Sequence, residues 1–146
     1  KEIIFSFRET SNKEFIFNFD QDSNPKKITK SIEIVYGLRN FIGNANKFCK
    51  NKIFITLKSD SEFTEVIIED DGEGYPSDIL SKIGEPYLNL KVIGNYDKIK
   101  SGLGLGIFIG KNLLEKNFAN INCQNSKTRS GAEVKIRWNN KDFIKI

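Results

Sequence analysis

The chain of 146 residues contains no histidine. No imidazole is available within it as a general base, a metal ligand or a nucleophile, so every mechanism that needs one in this chain is excluded. Cysteine is scarce too: Cys49 and Cys123 lie far apart, without metal-ligand spacing, and read as reduced, packed thiols. No apolar run approaches the roughly 20 residues of a membrane span. The opening "KEIIFSFRET" has none of the features of a signal or transit peptide. A net charge of +4 is modest, and Lys is scattered rather than gathered into a basic stripe with aromatics, so a nucleic-acid surface is not expected.

What is present is a composition of 38% hydrophobic and 29% charged residues with 12 Phe, which reads as soluble and globular. The length suits one domain with a single core. The chain begins without Met and enters a strand pattern almost at once, as expected of a single domain, residues 1–146, excised from a longer protein. Residues 3–8, "IIFSFR", and 14–19, "EFIFNF", are β-prone and predict a hairpin. A polar loop ends at Pro25. From about Ser31 to Lys50, Ile34, Val35, Leu38, Phe41, Ile42, Ala45, Phe48 and Cys49 recur with the period of a helix that buries one face. "KIFITLK" (52–58) and "EFTEVIIED" (62–70) predict a second hairpin, and 77–82 a short helix. Residues 84–101 show no clean period and read as a long loop, of the kind used as lids. "GLGLG" (102–106) opens a helix to about Phe118, and the strands "ANINCQN" and "GAEVKIRW" follow, the latter alternating strictly between apolar and charged residues. Helices on one side of a mixed, mostly antiparallel sheet make an α+β fold, a two-layer α/β sandwich.

Three polar features interrupt this pattern. Asn40 and Asn44 sit four apart on one face of a helix, although Asn is a mediocre helix former; a solvated face explains them equally well. "DDGEGY" after a strand suits a tight turn. "GLGLG" suits either close helix packing or an anion site at a helix N-terminus. Together they suit a purine nucleotide. Asp70 would accept a hydrogen bond from an exocyclic amine, and Gly72 and Gly74 would let the backbone approach a flat base. The 102–106 turn would hold phosphates. The amide oxygens of Asn44 and Asn40 are hard, neutral ligands suited to Mg²⁺, and Lys47 adds positive charge on a similar face.

In this order, "NFIGNANKF" (Asn40 to Phe48), "DDGEG" (Asp70 to Gly74) and "GLGLG" resemble the catalytic and ATP-binding domain of sensor histidine kinases, within the wider group of gyrase, Hsp90 and MutL ATPases. The segments "EIVYGLRNFIGNANKF", "IGEPYL" and "GLGLGIFIGKNLLEK" look most like the RegB/PrrB group of redox-responsive kinases. The resemblance implies a Bergerat fold, with Asp70 reading adenine, Phe48 packing on the base, Asn44 holding Mg²⁺ with help from Asn40, and Lys47 near the phosphates. It implies an ATP lid at 85–101, and nucleotide contacts from Tyr87, Gly102, Leu103, Gly104, Leu105 and Gly106. The implied activity is transfer of the γ-phosphoryl group of Mg-ATP to a histidine on a separate dimerisation domain, with a response regulator downstream. The full-length protein would be a homodimeric, membrane-anchored bacterial sensor whose cytoplasmic part includes this domain, itself touching neither membrane nor nucleic acid. Ala132 follows Gly131 where many histidine kinases carry Thr or Ser, and supplies no hydroxyl there.

Two other readings remain. The gyrase, Hsp90 and MutL ATPases carry a Glu four residues before the Mg²⁺-binding Asn, to activate water; Asn40 stands at that position and has no useful basicity. A degenerate module that binds nucleotide without transferring it would keep the same ligands.

Overall fold

A computed structural model of the chain describes residues 2–20, 31–83 and 103–146. The expected long loop, the lid at 85–101 and the segment ending at Pro25 lie outside them. In chain order the elements are α1 (Glu2–Arg8), β1 (Glu14–Phe19), α2 (Ile32–Phe48), β2 (Lys52–Ser59), β3 (Phe63–Asp70), α3 (Ser77–Leu80), α4 (Leu103–Lys116), β4 (Asn120–Asn125), β5 (Ala132–Asn139) and a terminal 3₁₀ helix (Asn140–Lys145).

Apolar periodicity builds the two layers. On α2, Ile34, Phe41, Ile42 and Ala45 are buried on one stripe, and the Ser31 hydroxyl accepts the Ile34 N–H at 3.4 Å to close the helix start. Ile107 and Leu114 of α4 join the same core. The strands present Ile53 and Ile55, Ile68, and Val134, Ile136 and Trp138, each on one face because side chains alternate along a strand. Ile136 and Leu114 are 0% exposed, and burial of each such side chain is worth about 1.5–3 kcal/mol. The five strands run in the order β1-β2-β3-β5-β4, with β1 parallel to β2 and every other pair antiparallel. This is the expected two-layer sandwich. The expected alternation of β5 holds on its apolar face, but Glu133 on the other face is also buried, hydrogen-bonded by Gln124 and paired with Lys135 at 3.4 Å.

The first hairpin does not form. Residues 3–8 belong to helix α1, and β1 instead pairs in parallel with β2, a connection that needs a crossover and gets it from α2. Tertiary packing overrides the β-propensity of "IIFSFR". As a helix, the segment buries Ile4 and stacks Phe7 on Phe15 at 6.1 Å, while Arg8 donates to the Phe15 carbonyl at 2.6 Å. Glu2 in the first turn and Arg8 in the last also complement the helix dipole. The short helix expected at 77–82 spans Ser77–Leu80, and the terminal 3₁₀ helix gave no apolar period to read.

Candidate nucleotide site

Asp70 ends β3 between the first residues of β2 and β5, and only 3% of its surface is exposed. Its Oδ1 accepts the Gly72 N–H at 2.8 Å and the Ala132 N–H at 3.4 Å. Among the described residues its second oxygen accepts no hydrogen bond. Burial pushes the Asp70 carboxyl above its ordinary value, the two backbone bonds oppose that, and the neighbouring Asp71 charge adds to it. The glycines around it have steric work to do. A Cβ on Gly72 would come within 2.3 Å of the Phe48 carbonyl oxygen and 2.8 Å of Asp70 Oδ1, and one on Gly131 within 2.2 Å of that same oxygen. Any side chain at either position would displace the carboxylate.

Asp71, the next residue, has a different task. Its carboxylate accepts the backbone N–H groups of Lys50, Asn51 and Lys52 at 2.8 to 3.2 Å. Burial works to raise its carboxyl, but these bonds outweigh it and hold it below the ordinary value. The end of α2, the start of β2 and the end of β3 are thereby tied at one point.

Above this knot lies a cavity of about 180 Å³. It brings together four of the expected residues: Asn44 and Phe48 from α2, Asp70, and Gly74 from the acidic turn. Asn44 lines the cavity, and among the described residues its amide has no hydrogen-bond partner. Asn40 does not line the cavity. Its Nδ2 donates to the Tyr36 carbonyl at 2.8 Å, and its side chain packs where α2 crosses α4, beside Gly106 and Gly110. Lys47 is exposed, with Nζ 6.0 Å from the centroid of the Phe48 ring. Gly72 supports Asp70 from behind rather than lining the space. Leu105 is 56% exposed on the first turns of α4, which begins at Leu103 and includes Gly104. Tyr87 and Gly102 lie outside the described residues.

Sequence reasoning missed Lys50, Glu73, Tyr75 and Pro76 in the lining, while Ala132, expected near the adenine site, does line it. Tyr75 and Pro76 directly follow the acidic Gly-rich turn, which was a usable signal; Lys50 carried none. Tyr75 is 5% exposed, and its hydroxyl has no hydrogen-bond partner among the described residues. Burial raises its phenol well above the ordinary value, and burial likewise pushes the thiol of the nearby Cys123 up to about 11. Both cysteines are free thiols, Cys49 buried and Cys123 partly so, as expected of packed residues. A thiol with so high a value is protonated at neutral pH and is a poor nucleophile.

A buried carboxylate, one of its oxygens unengaged among the described residues, shares a cavity with the C-terminal half of an Asn-bearing helix, and this arrangement defines a class. The chain belongs to the histidine kinase-, DNA gyrase B-, and HSP90-like ATPase family, whose model matches residues 29–142. Within that class it is 32% identical over 130 residues to the sensor histidine kinase RegB of Cereibacter sphaeroides, the match covering 80% of this chain and 28% of RegB. The chain therefore spans little more than a quarter of that relative's length. Two solved structures share the fold. The catalytic domain of histidine kinase ThkA superposes with a TM-score of 0.74 at 23% identity, over 94% of this chain and 89% of that one. The mycobacterial sensor histidine kinase MprB gives 0.71 at 19% identity, over 94% and 93%.

Proposed function

We propose that this chain is the catalytic domain of a longer sensor histidine kinase, that it binds Mg-ATP in the cavity over Asp70, and that it donates the γ-phosphoryl group to a histidine on a separate dimerisation domain. The observation that carries this is the Asp70 carboxylate, buried and fixed by Gly72 and Ala132 with its second oxygen left for a donor. Adenine offers that donor in its exocyclic amine. Phe48 and Tyr75 supply apolar walls for the ring.

Asn44 fits a divalent cation, because its unengaged amide lines the cavity and its oxygen is a hard, neutral ligand. Asn40 lies outside the cavity lining with its Nδ2 on the Tyr36 carbonyl, and an assisting role for its oxygen remains our assignment. Bound there, Mg²⁺ would neutralise phosphate charge. Lys47 and the Gly102 to Gly106 turn, with Tyr87, remain our assignments for the phosphate side. Phosphoryl transfer needs chiefly positioning and charge neutralisation, and the acceptor brings its own base. Asn40 at the position where the related ATPases carry Glu favours transfer over hydrolysis. In the full-length protein the acceptor domain, a homodimer and a downstream response regulator complete the relay, and this part of it works in the cytoplasm.

The test is transfer in trans: the chain is mixed with its helical histidine domain and γ-labelled ATP. Acid-labile label on the histidine domain is expected. Tight ATP binding with no label on any acceptor would contradict the kinase reading and leave a binding module.

A further inference from the structure

One wall of the cavity is the consecutive run Glu73, Gly74, Tyr75 and Pro76. The Pro76 carbonyl is bonded by the amides of Ile79 and Leu80, and Tyr75 is held by a side chain from far along the chain. Asn125 Oδ1 accepts the Tyr75 N–H at 2.6 Å, and Asn125 Nδ2 donates to the Tyr75 carbonyl at 3.0 Å. Both backbone valences of Tyr75 are thus taken by one amide, as a neighbouring strand would take them. Among the described residues the Tyr75 hydroxyl has no well-formed hydrogen bond, whereas its backbone has two to Asn125. Gly74 adopts φ +77°, and a Cβ there would stand 2.7 Å from Asn125 Oδ1, so the left-handed turn and the clamp require each other. Asn125 is the last residue of β4 and pairs across the ladder with Ala132, which lines the cavity and donates its N–H to Asp70.

Resting on the reading of this cavity as the adenine site, we infer that Asn125, which lies outside all three motifs, is a positioning residue for nucleotide binding. It fastens the Gly74–Pro76 wall to the end of β4, at the height where β5 meets the Asp70 carboxylate. Among the described residues its side-chain hydrogen bonds go to backbone, both to Tyr75. Its contribution is therefore to the shape of the base pocket, and it acts equally on any ligand that carries the adenine ring, whatever its phosphates.

The experiment titrates ADP and adenosine into the wild-type chain, Asn125→Ala, Asn125→Asp and Asp70→Asn by calorimetry, with residue-resolved amide exchange on the first two. Loss of the clamp should weaken ADP and adenosine by the same factor, about tenfold. Exchange at the Tyr75 amide should quicken while the β4–β5 ladder stays protected. Asn125→Asp, which retains the acceptor for the Tyr75 N–H, should lose less. Wild-type affinity in Asn125→Ala, alongside lost binding in Asp70→Asn, would overturn the inference and leave the adenine site standing. So would an affinity loss accompanied by faster exchange across the whole ladder, because that is a fold defect. A wild-type chain that binds no ADP overturns both.

Discussion

At the scale of single residues, the proposed chemistry rests mostly on Asp70 and Asn40. Burial raises the Asp70 carboxyl, so its ionised form costs the folded chain stability. The favourable contribution of this group is fully present below its unfolded value of 3.8 and is lost as pH rises through the higher folded value. Asp70→Asn keeps an oxygen for the Gly72 and Ala132 N–H groups and removes the charge. It should therefore abolish adenine-nucleotide binding while the melting temperature at neutral pH stays equal to the wild type or exceeds it. That margin should shrink as pH falls from neutral through the raised folded value and be gone below about pH 3.8, as thermal melts over a pH series would show. Loss of fold in Asp70→Asn at pH 7 would contradict this division between binding and stability. Asn40→Glu places a carboxylate one helical turn before Asn44, where it would act as a general base on water. Phosphate release without acceptor should be negligible in the wild type and rise in the variant, while transfer to the external histidine weakens. Brisk release by the wild-type chain would show that another group supplies the base.

At the scale of elements, the site depends on the knot that Asp71 makes between α2, β2 and β3. Asp71→Ala leaves the N–H groups of Lys50, Asn51 and Lys52 to water. These groups are near the surface, so the loss sits at the low end for bonds to a charged acceptor, about 1–2 kcal/mol, read by denaturant unfolding. Because the bonds hold the Asp71 carboxyl below its ordinary value, the stability it contributes is present above pH 3.8 and fades as pH falls through the lower folded value. The wild type and Asp71→Ala should converge in strong acid. Much of this element map was legible beforehand. The period of α2 pointed at Ile34, Phe41 and Ile42, and the alternation of β5 pointed at Val134, Ile136 and Trp138. Helix α1 was not legible, because its Ile and Phe residues are β-prone locally and become helical only by packing on Phe15 and α2.

At the scale of the whole molecule, the three motifs announced a nucleotide site because each is local, while the residues that finish the pocket come from distant pairing. Asn125 meets Tyr75 only after β4 pairs with β5 and β5 with β3. Nothing within a dozen residues of Asn125 marks it. Lys50 reaches the cavity because Asp71 fixes its backbone, again a long-range effect. The chain holds no histidine to receive a phosphoryl group, so under the proposed function the acceptor belongs to a second domain.

The central claim, that the open oxygen of Asp70 reads the exocyclic amine of adenine, is tested most directly by comparing ADP with inosine diphosphate on the wild-type chain by calorimetry. The two ligands differ at the purine 6-position, where inosine replaces the donating amine with a carbonyl oxygen. A hydrogen bond to a charged acceptor is worth about 1.5–3 kcal/mol, so ADP should bind on the order of 10- to 150-fold more tightly. Equal affinities for the two would contradict the account.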